Sequence, residues 1–293
     1  MSDSATPSPS APQTTEAEAY QLEKIDHLHR EQQRRDSVRT RTGVWIALTI
    51  LAGVVGYILL SSTSAGGRTL RIAMAHDAKS LDPHAIDDIE SGRICDLLYE
   101  GLVAFAPGEN ALVDDCVPAL AESWELADDS RTYTFVLRQG VSFHDGSMLD
   151  AAGVKRALDR ARGADTADFG PALKSPPYQD MYSDIASVDV VDEGTIRIVL
   201  TQPNMTFLRN LAMTTASIPS PKWLDAQRSG PRVPPAGTGP FKLRDWKRDQ
   251  AITLEPVEGY WGRVEGGPVA YAERVVFRVI PEPQQRLTEL LAG

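Results

Sequence analysis

Hydrophobic and polar positions along this chain fall into three regimes. Residues 1–20 (MSDSATPSPSAPQTTEAEAY) carry few large apolar side chains. Such a stretch cannot offset the entropy of ordering, which predicts a disordered tail, and the charged residues 16–36 extend it as at most a frayed helix. Val44–Leu60 (VWIALTILAGVVGYILL) is a continuous run of 17 residues dominated by apolar side chains, inside a stretch from Thr42 to Gly67 without a formal charge. From Arg68 onward the pattern changes to periods of two and of about 3.6, the signature of strands and amphipathic helices. Thr69–Ala75 reads as a strand, Asp88–Leu98 as a helix, and Tyr99–Phe105 as a helix end running into a strand. In SWELADDSRTYTFVLRQG a strand enters a turn at Asp128-Asp129-Ser130. The second strand then places Tyr133, Phe135 and Leu137 on one face. Asp150 caps a helix whose Val154, Leu158 and Ala161 share a face. A hairpin over Ile185–Asp192 and Thr195–Thr201 turns at Glu193-Gly194. A loop and helix near Asn204–Leu211 follow, then strands over Gly239–Trp246, Ala251–Pro256 and Val275–Ile280, and a helix from Pro283. Helices and strands mix without a strict β-α-β rhythm, so the fold class expected is α+β or mixed α/β.

The apolar run has the length of a membrane span. As a helix it reaches roughly 25 Å, slightly short of a hydrocarbon core, and Gly43, Ser61 and Ser62 extend it. Trp45 and Tyr57 lie near its ends, where amphipathic rings suit the interface. Arg30, Arg34, Arg35, Arg39 and Arg41 precede it and neutral residues follow. That asymmetry predicts a cytoplasmic N-terminus and an external body. The polar stretch before the run is longer than a secretion signal usually has, which favours a permanent anchor. Thr63-Ser64-Ala65 nevertheless offers small residues at which a peptidase could cut. A buried core helix is the bland alternative, and a run this uniform beside a disordered tail has no core to join.

Charge and composition narrow the function. The chain has 293 residues, 30 Lys and Arg against 40 Asp and Glu, and a net charge of −10. That balance argues against nucleic acid as a partner. Two cysteines, Cys95 and Cys116, exclude a Cys-rich zinc module and a disulfide-dense mini-fold; a bridge between them is permitted outside the cell but cannot be inferred. There is no Gly-x-Ser-x-Gly, His-Glu-x-x-His or phosphate loop. His76, Asp82 and His84 match no zinc spacing, so no metal is expected. His144-Asp145 reads as a structural turn rather than a catalytic pair. No enzyme and no cofactor are expected.

Six segments in order carry a resemblance. They are Ser80-Leu81-Asp82-Pro83-His84; Leu98-Tyr99-Glu100-Gly101-Leu102-Val103; Pro118-Ala119-Leu120-Ala121-Glu122-Ser123-Trp124; Tyr133 through Gly146; Gly237-Thr238-Gly239-Pro240-Phe241-Lys242-Leu243 with Trp246; and Tyr260-Trp261-Gly262. Together they resemble the extracytoplasmic solute-binding proteins of ABC transporters, in the peptide- and nickel-binding class called family 5. The resemblance implies two lobes that close on a ligand by hinge motion, one enlarged by a subdomain, with no chemistry done on the ligand and an ABC permease as partner. It divides the chain into a tail (1–43), a transmembrane helix (44–62) and a solute-binding body (68–293). Lobe I comprises 68–100 and 202–281, the inserted subdomain 101–201, and the start of the second lobe 282–293. Family members are usually much longer, so the chain is expected to stop where the second lobe begins, and its half-cleft to bind feebly. The helix at 44–62, in contact with the lipid bilayer, stands where the family usually has a secretion signal or lipid.

The resemblance also places ligand contacts. Asp87 and Ile89 match ligand-facing positions in the loop after Pro83, although Asp87 and Asp88 could instead begin the helix, where carboxylates favour the dipole. Thr238 lies in Gly-Thr-Gly-Pro, where glycines permit close backbone approach; an ordinary turn before a strand is the alternative. Tyr260 could lay its ring along a peptide, or join the core with Trp261. The function expected is a membrane-anchored component of an importer of dipeptides or oligopeptides. The alternatives are a transport-inactive sensor or scaffold, and a prematurely ended product.

Overall fold

Side chains alternate between buried and partly exposed along Thr132–Leu137, with Tyr133, Phe135 and Leu137 turned inward. The same rule builds most of the molecule. The computed structural model describes residues 68–106, 116–164, 166, 169, 173–229, 233–262 and 272–292. The tail 1–43 and the apolar run 44–62 lie outside the described residues; among the described residues no helix is long and apolar enough to cross a membrane. In chain order the elements are β1 (Thr69–Met74), α1 (Ile89–Leu98), β2 (Val103–Phe105), β3 (Cys116–Pro118), β4 (Ala121–Leu126), β5 (Thr132–Leu137), α2 (Ala151–Ala161), β6 (Ile185–Asp192), β7 (Thr195–Leu200), α3 (Phe207–Leu211), α4 (Pro221–Ser229), β8 (Phe241–Lys247), β9 (Ala251–Pro256), β10 (Arg274–Val279) and α5 (Pro283–Ala292). Single 3₁₀ turns lie at Gln179–Tyr182 and Thr214–Ala216.

Short-range chemistry starts and stops these elements. Asp88 caps α1: its carboxylate accepts the Ser91 N–H at 2.9 Å and the Ser91 hydroxyl at 2.6 Å. Asp150 caps α2 by accepting the Gly153 N–H at 2.7 Å. At the β4–β5 turn Asp129 accepts the N–H groups of Arg131 and Thr132, while Ser130 takes the left-handed conformation at φ 55°. Asp192 accepts the Gly194 N–H in the β6–β7 hairpin. Helix α4 has no counterpart in the sequence reading. Ser220 begins it, its hydroxyl accepting the Trp223 N–H, and Pro221 occupies the first helical position.

Among the described residues two four-stranded sheets, a two-stranded one and three core clusters result, the smallest cluster gathering Trp223, Leu224 and Ala236. The first sheet has the order β1-β10-β9-β8, with β1 parallel to β10 (Ile72 opposite Phe277) and the other pairs antiparallel. Its core gathers Met74, Ile94, Leu98, Ile252, Leu254 and Phe277. The second sheet is wholly antiparallel, in the order β4-β5-β7-β6, and packs Phe135, Val154, Leu158, Ile196 and Ile198 into a separate cluster with α2. A two-stranded ladder of β2 and β3 is the third pairing. The architecture is mixed α/β. Both cysteines are free thiols; Cys95 is buried in the first core and Cys116 sits in β3.

A buried polar joint fastens the loop after β1 to the helix of the second sheet. Arg160 of α2 is fully buried. Its guanidinium donates to both carboxylate oxygens of Asp82, at 2.8 and 2.6 Å, and to Nδ1 of His84 at 2.8 Å. His84 Nε2 is left to donate to the Ser217 carbonyl at 2.9 Å, which assigns the neutral tautomer with its proton on Nε2. Burial would push the Asp82 carboxyl up, but the charge and hydrogen bonds of Arg160 outweigh it and hold Asp82 below the usual carboxylate range. Burial first and the Arg160 charge second push His84 down to about 4. Asp82 and His84 thus have their polar atoms engaged by Arg160 and Ser217; among the described residues no group of three or more His, Cys, Asp and Glu is placed to hold an ion.

Two predictions follow from the joint. Arg160→Leu strands a buried carboxylate and a ring nitrogen, and is expected to lower the urea unfolding free energy by about 3–5 kcal/mol; a loss under about 1 kcal/mol would contradict the assignment. The second concerns acid. The unfolded chain protonates His84 near its ordinary value of 6.5, whereas the folded chain resists to about 4. The stability from neutral His84 is thus full above that ordinary value and lost as pH falls through the interval, by roughly 3 kcal/mol. His84→Gln should flatten this part of a stability-against-pH curve, and an unchanged slope would show that the imidazole is not the group responsible.

Candidate functional site

Tyr99-Glu100-Gly101 joins α1 to β2, and Glu100 is the centre of the candidate site. It follows Leu98 and Tyr99 and precedes Leu102 and Val103, all buried. A carboxylate in such a run is costly unless donors surround it. Here they do. Glu100 Oε2 accepts the Thr238 hydroxyl at 2.8 Å and the Trp261 indole N–H at 2.7 Å. Glu100 Oε1 accepts the Tyr260 hydroxyl. Burial raises the Glu100 carboxyl above its ordinary value, opposed by the Tyr260, Thr238 and Trp261 donors and by the charge of Arg138. Burial, then the Glu100 charge, pushes the Tyr260 hydroxyl up, so it stays a donor. Arg138 lies over the Trp261 ring at 5.1 Å from its centroid, while its Nε donates to the Ala119 carbonyl at 2.6 Å.

The Gly-Thr-Gly segment is held against the end of α1. A Cβ at Gly237 would lie 2.1 Å from the Leu98 carbonyl oxygen, and one at Gly239 would lie 2.6 Å from that of Leu97. The Gly239 N–H donates to the Leu98 carbonyl at 3.1 Å. These glycines admit the close approach of the chain's own backbone. His144 braces the same segment. Its Nδ1 accepts the Gly237 N–H at 3.3 Å and its Nε2 donates to the Gly239 carbonyl at 2.9 Å. Asp145 accepts the Ser147 and Ser220 hydroxyls, at 2.6 and 2.5 Å. Both residues of the His144-Asp145 turn are thus engaged by the chain itself.

The four residues expected to touch ligand divide into two pairs. Thr238 and Tyr260 converge on Glu100, with Thr238 only 2% exposed and its hydroxyl proton committed. Asp87 and Ile89 lie at the start of α1. Asp87 is exposed and paired with Lys79 at 2.9 Å, and Ile89 is 73% exposed. Asp88, rather than Asp87, performs the capping. Most of the Ile89 side chain, on the first turn of the helix, stays in contact with solvent. Sequence reasoning missed Glu100, Arg138 and the part played by Trp261. The available signal was a lone acid between buried apolar residues.

The family model of bacterial extracellular solute-binding proteins, family 5 (middle), matches residues 115–293, more than half of the chain. The glutathione-binding protein GsiB of Salmonella typhimurium is 32% identical over 220 residues, covering 75% of this chain and 40% of that protein. The dipeptide-binding protein of Escherichia coli is 33% identical over 207 residues, covering 66% and 37%. Among solved structures, the ABC transporter-associated periplasmic binding protein DppA from Helicobacter pylori, in complex with peptide STSA, superposes with a TM-score of 0.69 at 34% identity. It covers 78% of this chain and 45% of that one. The chain thus spans about two fifths of the length of the curated relatives it matches. The mixed α/β arrangement is that of periplasmic binding proteins, and the chain belongs to the bacterial extracellular solute-binding proteins, family 5.

Proposed function

We infer that the described body is a peptide-facing wall of the solute-binding component of an ABC importer, acting by capture and without chemistry on its ligand. The observation that carries this is the half-buried Glu100 carboxylate, which fixes the Tyr260 ring, in a chain similar to proteins named for dipeptide and glutathione binding. Asp87 supplies an exposed carboxylate, suited to a peptide ammonium or N–H. Ile89 supplies an exposed apolar surface for a ligand side chain. Tyr260 offers its ring face, because its hydroxyl is committed to Glu100. Thr238 acts from behind, by holding Glu100. The permease is the partner to which a loaded protein would dock. Residues 44–62 are the anchor in this reading, on the strength of the apolar run and the arginines before it.

Two experiments test the reading. Calorimetric titration of the full chain in detergent with the tetrapeptide Ser-Thr-Ser-Ala should give weak but saturable binding, as one wall of a cleft would. Tyr260→Ala and Asp87→Asn should each weaken it about three- to tenfold, on the order of 1 kcal/mol. Glu100→Gln, outside the contact set, should weaken it comparably by releasing the Tyr260 ring. No heat with any peptide of two to five residues, or wild-type affinity in the Tyr260 variant, would remove the proposal. For the anchor, alkaline carbonate extraction of membranes should leave the full chain in the pellet and release a version beginning at Arg68; a full chain in the supernatant would refute it.

A further inference from the structure

A separate pocket lies between α4, the Val233–Ala236 segment and the start of β8. Its volume is about 290 Å³, at the small end for ligand sites, and none of its lining residues is among the proposed peptide contacts. Trp223, Ala226 and Leu243 give it an apolar interior. Pro234 and Pro235 form one wall, and their fixed φ angles and missing N–H groups let that wall stand open without stranding a donor. The Ser220 N–H donates to the Ala236 carbonyl at 2.9 Å and pins the segment to the head of α4.

Charge and hydrogen bonding then specify what fits. Lys222 and Lys242 both line the pocket. Lys242 is loosely shared with Glu255 at 3.4 Å. Asp145, also at the lining, is engaged by the Ser147 and Ser220 hydroxyls. Against the upward push of burial, those hydroxyls and the Lys222 charge hold the Asp145 carboxyl below its ordinary value, so two cations and one carboxylate line the pocket, a net of one positive charge in a chain of net charge −10. Trp223 is 5% exposed, and its indole N–H is the one buried side-chain polar atom without a hydrogen-bond partner among the described residues. Unsatisfied buried donors are rare in folded proteins and call for an explanation. An acceptor brought from outside the chain is one that this pocket can admit.

We propose that this pocket is a second ligand site, selective for a small apolar carboxylic acid whose carboxylate accepts the Trp223 indole N–H beside Lys222 and Lys242 and whose hydrocarbon body packs on Ala226 and Leu243. The selection is by charge at one end and shape at the other. The pocket shares His144 with the brace of Gly237 and Gly239, but none of the proposed peptide contacts lines it, so loss of peptide binding and loss of acid binding are separate outcomes.

The probe is indole-3-acetate, with its neutral analogue indole-3-acetamide, titrated calorimetrically into the full chain in detergent. The acid should bind saturably and about tenfold more tightly than the amide, as a charge-assisted contact requires. Lys222→Gln combined with Lys242→Gln should abolish that preference while leaving the thermal unfolding midpoint unchanged. Ala226→Phe, which fills the pocket, should remove binding of both; if that variant fails to fold, the lysine pair decides alone. The tetrapeptide Ser-Thr-Ser-Ala should not displace the acid. Absence of saturable acid binding, equal affinity for acid and amide, a preference that survives the double lysine substitution, or displacement by the tetrapeptide would each overturn the proposal.

Discussion

A buried guanidinium needs acceptors, and Arg160 obtains three of its hydrogen bonds from the loop after β1, 76 and 78 residues before it in the chain. Strand β1 pairs with β10 across about 200 intervening residues, so the sheet forms only when that excursion is closed. The excursion carries its own antiparallel sheet and its own core. Nothing apolar need fix one core against the other uniquely, because hydrophobic contact is non-directional. The fork of Arg160 on Asp82, with His84 turned toward Ser217, is directional. It sets where α2 meets the loop after β1, and that loop leads into Asp87 and Ile89.

The same economy recurs at Glu100 and at His144. A single carboxylate gathers Thr238, Tyr260 and Trp261 from a stretch far along the sequence. A single neutral imidazole straddles Gly237 and Gly239 from the second sheet's side. Each is a half-buried polar centre with its partners in place, which rigidifies its surroundings; with a partner removed it becomes a liability. A capture surface benefits from that rigidity. Side chains already ordered lose less freedom when a ligand arrives. Asp87 and Ile89 stand outside these networks, exposed at the mouth of α1, where a partner can reach them.

Local chemistry made much of the fold legible. The alternation of Tyr133, Phe135 and Leu137, the cap at Asp150, and the turns at Asp129 and Gly194 are readable because each is decided within a few residues; Asp88 reads as the first helical residue and proves to be the cap. Helix α4 was not read, since its apolar residues are few in nine positions, although Ser220-Pro221 spelled its start. The parallel pairing of β1 with β10 and the short strand β3 depend on distant partners that no local pattern encodes. At the candidate site, Thr238 and Tyr260 were singled out from their motifs, while the acid that joins them looked like an ordinary loop residue. The glycines around Thr238 were read as room for a ligand; the space they create is taken by the Leu98 carbonyl.

The central claim is that peptide is held where α1 begins and where Tyr260 is fixed by Glu100. Its most direct test is photo-cross-linking of the full chain with Ser-Thr-Ser-Ala peptides carrying a diazirine, followed by mass-spectrometric mapping of the adducts. The account predicts adducts on fragments containing Asp87–Ile89 and Tyr260, suppressed by excess unlabelled peptide. Suppressible adducts confined to the outer strands of the second sheet, or to the pocket around Trp223, would contradict it.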